Sequence, residues 1–352
     1  MRSNLIYGLR CATGTRQRVR TTDYCTPSGR RRSCRAVSLD CMKKSLANFI
    51  QEQTFEKYRK RGIVIGISGG IDSAVVATLA CNAIGKENVL GLILPEKESN
   101  PKSQELAKKL CTNLDIEYLI DDITPILDSA SVYKIREEIV QKLFPNFNNS
   151  CKYRLIFSEN FDNDGLSIPY LEIQDSQNQI HKIKISLNDY LTIIAATNIK
   201  HRTRMSRLYY YAEKNNFLVC GTTNKAEFQQ GYFVKYGDGG VDVEPLVNLF
   251  KTQVYQLAEF LNITNEILQR KASPDTWSFD VSDEEFFFSL PYEIIDLLLY
   301  AKEQSIPLIQ ICSVLNLKED QVKRIIKSQE RKWNSSKTSR TFPPSFDMKD
   351  FS

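Results

Sequence analysis

The stretch GIVIGISGGIDS, residues 62–73, decides the fold. Its first half is an apolar, β-branched run, which predicts a strand buried within a parallel sheet. A Ser-Gly-Gly turn follows, and the residues from Asp72 to Ala80 predict a helix with a capping-type start. The stretch therefore predicts a strand, a glycine turn and a helix in immediate succession.

This succession is a geometry that binds phosphate. Glycines let backbone N–H groups approach an anion closely, and the helix N-terminus adds about half a positive charge. Ser68 and Ser73 can add hydroxyl donors. Asp72 is unusual at such a site, because a carboxylate repels phosphate. Its presence makes sense if a divalent cation lies between the two.

The loop differs from two common nucleotide-binding motifs. It lacks the Gly-Lys-Ser/Thr of a Walker A motif, and it is not Gly-x-Gly-x-x-Gly followed by a ribose-binding acid. Ser-Gly-Gly-Ile-Asp-Ser instead resembles the pyrophosphate loop of the N-type ATP pyrophosphatases. That resemblance implies cleavage of ATP to AMP and pyrophosphate, with an adenylated oxygen that a nitrogen nucleophile attacks. The alternative is an ordinary strand-to-helix turn with two glycines.

The residues after the loop alternate between strand and helix patterns. Residues 88–95 and 116–120 are apolar runs typical of buried strands, and residues 101–114 carry a helical apolar stripe. Alternating elements predict an α/β fold with a doubly wound parallel sheet and helices on both faces. Ligands of such sheets bind at the carboxyl ends of the strands, where the 66–73 loop lies.

Two regions depart from the alternation. Residues 129–190 contain Asn-rich turns and two β-like runs, 170–174 and 180–185, which predict an inserted hairpin or small subdomain within a main domain of residues 42–300. Residues 283–333 are helical in pattern, and residues 301–352 are interpreted as a C-terminal helical cap and tail. The basic residues at 200, 202, 204 and 207 are interpreted as a solvated helix face.

The charge of the chain is unevenly distributed. The net charge is +5 over 352 residues, but residues 1–41 hold nine Arg, no Lys and two Asp, or +7, so that the remainder carries −2. A nearly neutral body argues against a nucleic-acid surface. No run is long and apolar enough to span a bilayer, and the scattered cysteines suit a reducing compartment. We therefore expect a cytoplasmic protein.

Residues 1–41 are interpreted as an extension outside the fold. They are rich in Arg, Ser and Thr and lack an apolar periodic stretch. A transit peptide has such a composition, although no clear amphipathic helix emerges, and a disordered nucleic-acid-binding tail is another alternative. Met42 opens an amphipathic helix that leads to the first strand.

Further motifs extend the pattern beyond the loop. They are Arg202-x-Arg204-Met205, then Gly221-Thr222-x-x-x-x-Glu227, then Lys235-Tyr-Gly-Asp-Gly-Gly-x-Asp242, and finally Lys251. Together with the loop, these motifs resemble ammonia-dependent NAD synthases, and their order and spacing hold from about Met42 to Tyr300, apart from the insertion. Five motifs in order are far more specific than any one alone.

The resemblance implies an activity and a set of site residues. The activity is amidation of deamido-NAD to NAD by ammonia, driven by conversion of ATP to AMP and pyrophosphate. The implied ATP contacts are Gly66, Ile67, Ser68, Gly69, Gly70, Ile71, Asp72, Ser73, Thr222, Lys251 and Ser273. The implied deamido-NAD contacts are Arg202, Lys235 and Asp242. Asp72 and Glu227 would hold Mg²⁺, and Asp72 and Lys251 would act in catalysis.

The resemblance also implies partners. The family builds its deamido-NAD site at the interface of a homodimer. No span is free to hold a glutaminase domain, so free ammonia is the expected nitrogen donor unless a separate glutaminase chain supplies it.

Because a carboxylate in a loop at the sheet edge is accessible to solvent, Asp72 is expected to need no buried partner.

The sequence departs from the family pattern at two places. The Pro-Thr-Ala-Asp element appears as Ala272-Ser273-Pro274-Asp275, which keeps a hydroxyl, and the C-terminal His-Lys pair has no His in residues 335–340. These departures and the insertion leave open a related enzyme that amidates or adenylates a different carboxylic acid. The net charge of −2 over residues 42–352 argues against a transfer-RNA thiolating enzyme. The retention of Asp72 and Glu227 argues against a regulator that has lost catalysis.

Overall fold

The computed structural model describes residues 38–157 and 168–345. The strands are β1 (Gly62–Gly66), β2 (Val89–Ile93), β3 (Glu117–Ile120), β4 (Lys152–Phe157), β5 (Pro169–Gln174), β6 (Ile180–Lys184) and β7 (Phe217–Cys220). The α-helices are α1 (Leu39–Gln51), α2 (Ile71–Ile84), α3 (Pro101–Leu114), α4 (Thr124–Ser129), α5 (Val132–Leu143), α6 (Leu187–Asn215), α7 (Lys225–Gln230), α8 (Lys251–Phe260), α9 (Asn265–Leu268), α10 (Tyr292–Glu303), α11 (Leu308–Leu315) and α12 (Glu319–Ser335). Single π-helical turns cover Glu52–Lys57 and Glu284–Phe288, and 3₁₀ turns cover Lys86–Asn88 and Lys337–Ser339.

A four-stranded parallel sheet forms the centre of the molecule, in the order β3-β2-β1-β7. Residues 67–70, which we call the glycine loop, connect β1 to α2. Because β1 lies between β2 and β7, this loop emerges at the middle of the sheet's carboxyl edge. Chain order and spatial order differ at this point, since β2 lies on one side of β1 and β7 on the other. Such a switch is where ligands of open α/β sheets bind.

Helices cover both faces of this sheet. Ile63 and Ile65 of β1 pack in a core with α1, α2, α3 and α8, whereas Val64 packs on the opposite face with α4, α5 and α6. This is the consequence of strand geometry, in which successive side chains point to opposite faces. The predicted doubly wound α/β fold is confirmed.

Helix α2 is held rigidly behind the glycine loop. Ten of its fourteen residues are buried, which is typical of a helix apolar on all sides and enclosed by its neighbours. Gly70 caps its N-terminus in extended conformation, without a side-chain hydrogen bond to the first backbone N–H groups. These N–H groups are therefore fixed in place at the carboxyl edge of the sheet and remain available to a ligand.

Helix α1 begins a few residues before Met42. Ser38 caps it, because its Oγ accepts a hydrogen bond of 3.1 Å from the backbone N–H of Cys41. The extension predicted from the sequence therefore ends too late, because Ser38 caps the first helix and residues 39–41 belong to it. The rest of that predicted extension, residues 1–37, lies outside the described residues.

The region predicted as an insertion contains more structure than the sequence pattern indicated. The predicted β-like runs form β5 and β6, and β4 joins them in an antiparallel sheet of order β4-β5-β6. The sequence pattern predicted neither β4 nor helix α5. Its residues Ile139 and Val140 pack with the inner face of the small sheet and with Ile193 of α6, so that this sheet has a core of its own.

The C-terminal helices α10, α11 and α12 match the helical pattern predicted for residues 283–333. Helix α10 packs on α7 and α8 through Ile295 and Leu299, and α12 packs on α10 and α11 through Val322 and Ile325. Within the described ranges 38–157 and 168–345, no helix combines the length and the apolar character needed to cross a membrane.

Candidate active site

A cavity of about 500 Å³ opens at the carboxyl edge of the central sheet. The glycine loop and the start of α2 form its floor, and the segments after β2, β7 and α9 form its walls. It is lined by several of the residues predicted as site residues from the sequence. These are Gly66, Ile67, Ser68, Gly70, Ile71, Asp72, Thr222, Glu227 and Ser273.

The glycine loop has the geometry that the sequence predicted. Gly69 has a φ of +74°, which favours glycine, and a Cβ there would collide with the backbone oxygen of Ser103. The Ser73 hydroxyl donates to the Gly70 carbonyl at 3.0 Å, and the Ser68 hydroxyl accepts from the Gly70 N–H at 3.2 Å. These bonds hold the turn so that its backbone and the α2 N-terminus face the cavity.

Beside the loop lies a set of charged side chains that we call the acid–lysine cluster: Asp72, Glu227, Asp283 and Lys251. The ammonium of Lys251 contacts the Asp72 carboxylate, and its distance to Glu227 Oε1 is 3.7 Å. Lys251 is fully buried. The hydroxyls of Tyr232 and Tyr292 donate to Asp283 at 2.8 and 3.2 Å.

Burial and mutual repulsion dominate the electrostatics of this cluster. Burial and the neighbouring Asp72 charge raise the pKa of Glu227 well above its ordinary value. Burial also raises the pKa of Asp283. For Lys251, burial acts to lower the pKa, but the carboxylates of Asp72, Glu227 and Asp283 raise it overall. The cluster therefore strongly favours a bound positive charge among its carboxylates.

The start of α7 places Glu227 in this cluster. Asn224 and Glu227 form a capping box: the Asn224 Oδ1 accepts from the Glu227 N–H at 3.2 Å, and the Glu227 Oε2 accepts from the Asn224 N–H at 3.1 Å. Asn224 Nδ2 also donates to Asp72 Oδ1 at 3.2 Å. The Asn-x-x-Glu signature following β7 thus links the two carboxylates predicted to hold a metal.

The structure corrects the expectation that Asp72 needs no buried partner. Asp72 lies in the first turn of α2 and not in the loop itself, and its carboxylate contacts a lysine that no solvent reaches. The reason is that Lys251 begins α8, whose contact with α2 in the core brings the lysine directly against the loop. No feature near position 72 in the sequence signals this approach.

The donor set of Asp72 and Glu227 fits magnesium. Magnesium is usually bound by one or two carboxylates together with substrate phosphates and water, and not by a cage of protein ligands. The two carboxylates also already flank a cation in this structure, the Lys251 ammonium.

The three residues predicted to contact deamido-NAD lie outside the cavity lining. Arg202 is exposed, and its Nε donates to the Lys235 carbonyl at 3.3 Å. The Lys235 ammonium donates to the Thr338 carbonyl at 2.9 Å, near the end of the described chain. Asp242 accepts hydrogen bonds from the Val219 N–H at 2.8 Å and from the Tyr209 hydroxyl at 3.0 Å. The structure thus groups Arg202 with Lys235 and places Asp242 against β7.

The interpretation of residues 200, 202, 204 and 207 as one solvated face is wrong for two of them. Lys200 is fully buried and Arg204 lines the cavity, where its Nε donates to the Leu94 carbonyl at 3.1 Å. Burial and the neighbouring Arg136 guanidinium lower the pKa of Lys200 to about 8. A signal was present in the sequence, because Lys200 lies on the same helical stripe as Ile193 and Ala196.

Sequence reasoning also missed an aromatic wall and a cation at the cavity. The aromatic lining residues are Phe157, Tyr190, Tyr232, Phe233, Phe286 and Phe287. Arg270 lies beside the glycine loop, where its guanidinium donates to the Ser103 hydroxyl at 2.6 Å and to the Gly69 carbonyl at 3.4 Å. These residues come from distant parts of the chain, so no local spacing could have grouped them.

Comparison with known proteins agrees with this geometry. The profile of the NAD synthase family matches residues 42–167 and 158–337. An NH(3)-dependent NAD(+) synthetase of Mesorhizobium japonicum is 40% identical over 287 residues, which are 82% of this chain and 90% of the relative. The corresponding protein of Thermotoga maritima is 38% identical over 264 residues, 75% of this chain and 88% of the relative.

Solved structures show the same similarity. The NH3-dependent NAD synthetase of Campylobacter jejuni, in complex with nitrate, has a TM-score of 0.58 and 26% identity, covering 88% of this chain and 99% of that one. The NMN synthetase of Francisella tularensis has a TM-score of 0.61 and 25% identity, with the same coverage.

Fold and site together define a nucleotide-binding α/β protein whose glycine loop and paired carboxylates line one cavity. Its loop, its acid–lysine cluster and its cavity lie at the carboxyl edge of the sheet, where ligands of open α/β sheets bind. The chain belongs to the NAD synthase family.

Proposed function

We propose that the chain is a C–N bond-forming ligase that amidates deamido-NAD to NAD, using ATP and ammonia and releasing AMP and pyrophosphate. The observation that carries this proposal is one cavity lined both by the glycine loop and by the carboxylates of the acid–lysine cluster, which Lys251 contacts from behind. The family membership and the names of its relatives support it.

Such a reaction must first make the carboxylate reactive. A carboxylate does not react with ammonia at neutral pH, because its oxygen is a poor leaving group. In the first step a carboxylate oxygen attacks the α-phosphorus of ATP, and pyrophosphate leaves. In the second step ammonia attacks the carbonyl carbon, AMP leaves, and the nitrogen loses a proton to give the amide. The protein supplies mainly positioning and electrostatic stabilisation, as in other phosphate chemistry.

The residues of the loop and the cluster have separate roles in this proposal. The backbone N–H groups of residues 66–73, with the Ser68 and Ser73 hydroxyls, bind the ATP phosphates at the α2 N-terminus. Lys251 neutralises phosphate charge while holding Asp72 in place, and Thr222 and Ser273 contact ATP. Asp72 and Glu227 would hold Mg²⁺, which when bound neutralises the charge of the phosphates.

Arg202, Lys235 and Asp242 are proposed to contact deamido-NAD. Arg202 and Lys235 lie outside the cavity of a single chain, which suits a site that a second copy completes. We therefore propose a homodimer; a monomeric mass in solution at micromolar concentration would contradict it. Free ammonia in the cytoplasm is the proposed nitrogen donor, with a separate glutaminase chain as the alternative source.

The nucleotide product tests the proposed reaction most directly. With deamido-NAD, ATP, Mg²⁺ and ammonium, the purified chain is expected to form NAD, AMP and pyrophosphate in equal amounts, measured by chromatography. Omitting ammonium serves as the control and should abolish NAD. Formation of ADP and phosphate instead would contradict the whole class of reaction, because the leaving group would then be a single phosphate.

A second candidate is amidation of a different carboxylic acid by the same chemistry. The similarity to the Francisella tularensis NMN synthetase favours testing a mononucleotide in particular. The same assay separates the two candidates when it is run with the deamidated mononucleotide in place of deamido-NAD. AMP formed only with the mononucleotide would keep the chemistry and change the substrate.

A further inference from the structure

A second ionic network, separate from the acid–lysine cluster, lies beneath one wall of the cavity. We call it the four-charge network: Glu96, Glu98, Arg136 and Lys200. The Lys200 ammonium donates to Glu96 Oε1 at 2.8 Å and contacts Glu98, and Arg136 Nη1 donates to Glu98 Oε2 at 2.6 Å. Both cations are fully buried, and two carboxylates balance them.

This network joins four parts of the chain at one backbone atom. Glu96 and Glu98 lie after β2, Arg136 in α5 and Lys200 in α6. Both cations also donate to the carbonyl of Thr276, Lys200 at 3.0 Å and Arg136 at 3.3 Å. The Arg136 guanidinium lies 4.5 Å from the centre of the neighbouring Trp277 ring. The segment 273–276, which lines the cavity, is therefore tethered to the body by two buried charges.

The tethered segment has a backbone conformation that needs support. Asp275 has a φ of +49°, in the left-handed region that residues with a Cβ rarely adopt. Its N–H donates to the Ser273 hydroxyl at 3.3 Å, and its carboxylate accepts from the Asn100 N–H at 2.8 Å. A strained residue of this kind persists only where its surroundings determine it. Thr276, the next residue, is the one that the network binds.

A purely structural role is a poor explanation for the network. Burying four charges is costly, and well-packed apolar side chains in their place are often as stable or more stable. What such a network supplies in some proteins is a unique arrangement of the segments it joins. Here the joined segments are two walls of the cavity, the one after β2, with Pro95 and Ser99, and the segment 273–276.

We propose that Lys200 and Arg136 are positioning residues that fix the 273–276 segment, and with it the Ser273 hydroxyl, for binding ATP. They act through the Thr276 carbonyl and do not touch the nucleotide. This inference rests on the proposed function in one respect, namely that ATP is the ligand of the cavity. It predicts that loosening the tether weakens ATP binding more than it affects the other substrates or the chemical steps.

The double variant Lys200→Met/Glu96→Gln tests this role. It removes one cation and one anion together, so that the Arg136–Glu98 pair stays balanced, and it deletes the Lys200 hydrogen bond to Thr276. We expect the Kd of ATP, measured by calorimetry, to rise at least tenfold. In turnover assays the KM for ATP should rise similarly, while kcat and the KM for ammonium change less than threefold.

Tyr133→Phe is the matched control. Its hydroxyl donates to Glu96 Oε2 at 2.6 Å but has no bond to Thr276. This variant should keep the Kd of ATP within twofold of the original chain. Should the double variant fail to fold, Arg136→Lys carries the test: it keeps the charge, loses the guanidinium fork on Glu98 and Thr276, and should raise the Kd about threefold.

The outcomes separate this inference from the proposed function. A folded double variant, or a folded Arg136→Lys, that binds ATP as tightly as the original chain would overturn the positioning role and leave the proposed function intact. A fall in kcat together with equal rises in the KM values of all substrates would also overturn the positioning role, since these changes indicate that the whole site has become less ordered. An original chain that binds ATP more tightly than the variants but forms no NAD would support the positioning role and contradict the proposed function.

Discussion

Replacing Asp72 by asparagine should lower turnover by about a hundredfold or more. Loss of one key electrostatic stabiliser costs about 3 kcal/mol in transition-state energy, and Asp72 is proposed both to hold Mg²⁺ and to orient Lys251. Asparagine keeps the size of the side chain and an oxygen that can accept from Lys251. The free energy of unfolding should therefore be about 1.5–3 kcal/mol lower than in the original chain, the scale of a hydrogen bond to a charged group.

The measurement for Asp72→Asn pairs initial rates over a range of Mg²⁺ concentrations with thermal unfolding. Asp121→Asn is a suitable control, because Asp121 also follows a parallel strand and pairs with a cation, Arg207, at 2.6 Å, yet does not line the cavity. It should leave turnover unchanged. Near-normal turnover of Asp72→Asn with the original magnesium requirement would show that Asp72 is not a ligand.

Lys251→Met should lower the free energy of unfolding more than Asp72→Asn does. Lys251 is the cation that lies between Asp72 and Glu227, and its removal leaves their carboxylates, together with Asp283, without compensation. Breaking a buried ion pair by removing one partner costs about 3–5 kcal/mol. Turnover should fall below detection, because the phosphate-neutralising charge is lost as well. Chemical denaturation at neutral pH measures the first effect and AMP release the second.

Lys225→Met provides the comparison for this variant. Lys225 is a largely buried lysine with one carboxylate partner, Glu303, at 2.8 Å, and it lies over the Phe250 ring at 4.4 Å, but it is not a member of the acid–lysine cluster. We expect a loss of about 1 kcal/mol or less and normal turnover. If Lys251→Met is as stable as Lys225→Met, the cluster does not depend on a compensating cation.

The part of the fold nearest the glycine loop was predictable because its signals are local. An apolar run, a Ser-Gly-Gly turn and an apolar helix follow one another within residues 62–80, and each element forms for reasons contained in its own sequence. Helix α5 was missed because a charge, Arg136, interrupts its buried apolar stripe. That charge is satisfied by Glu98, which lies outside the helix and 38 residues earlier in the chain.

Motif spacing singled out the candidate side chains of the site but did not indicate the contacts between them. Asp72, Glu227 and Lys251 were each identified by motif spacing, but the contact between Asp72 and Lys251 depends on the packing of α8 against α2. The helical stripe of Lys200 indicated its burial, but its carboxylate partners lie about a hundred residues earlier in the chain and could not be inferred from spacing. Sequence spacing indicates which side chains are chemically suitable, whereas tertiary packing decides which of them meet.

Helix α6 limits how the length of this chain can change in evolution. It has 29 residues and is about 43 Å long, and along it Ile193 packs on the small sheet, Lys200 joins the four-charge network and Arg204 lines the cavity. Inserting or deleting one residue would rotate everything beyond that point by about 100°. The β5–β6 hairpin turn carries no such constraint, so natural length variation should accumulate there and spare the helix.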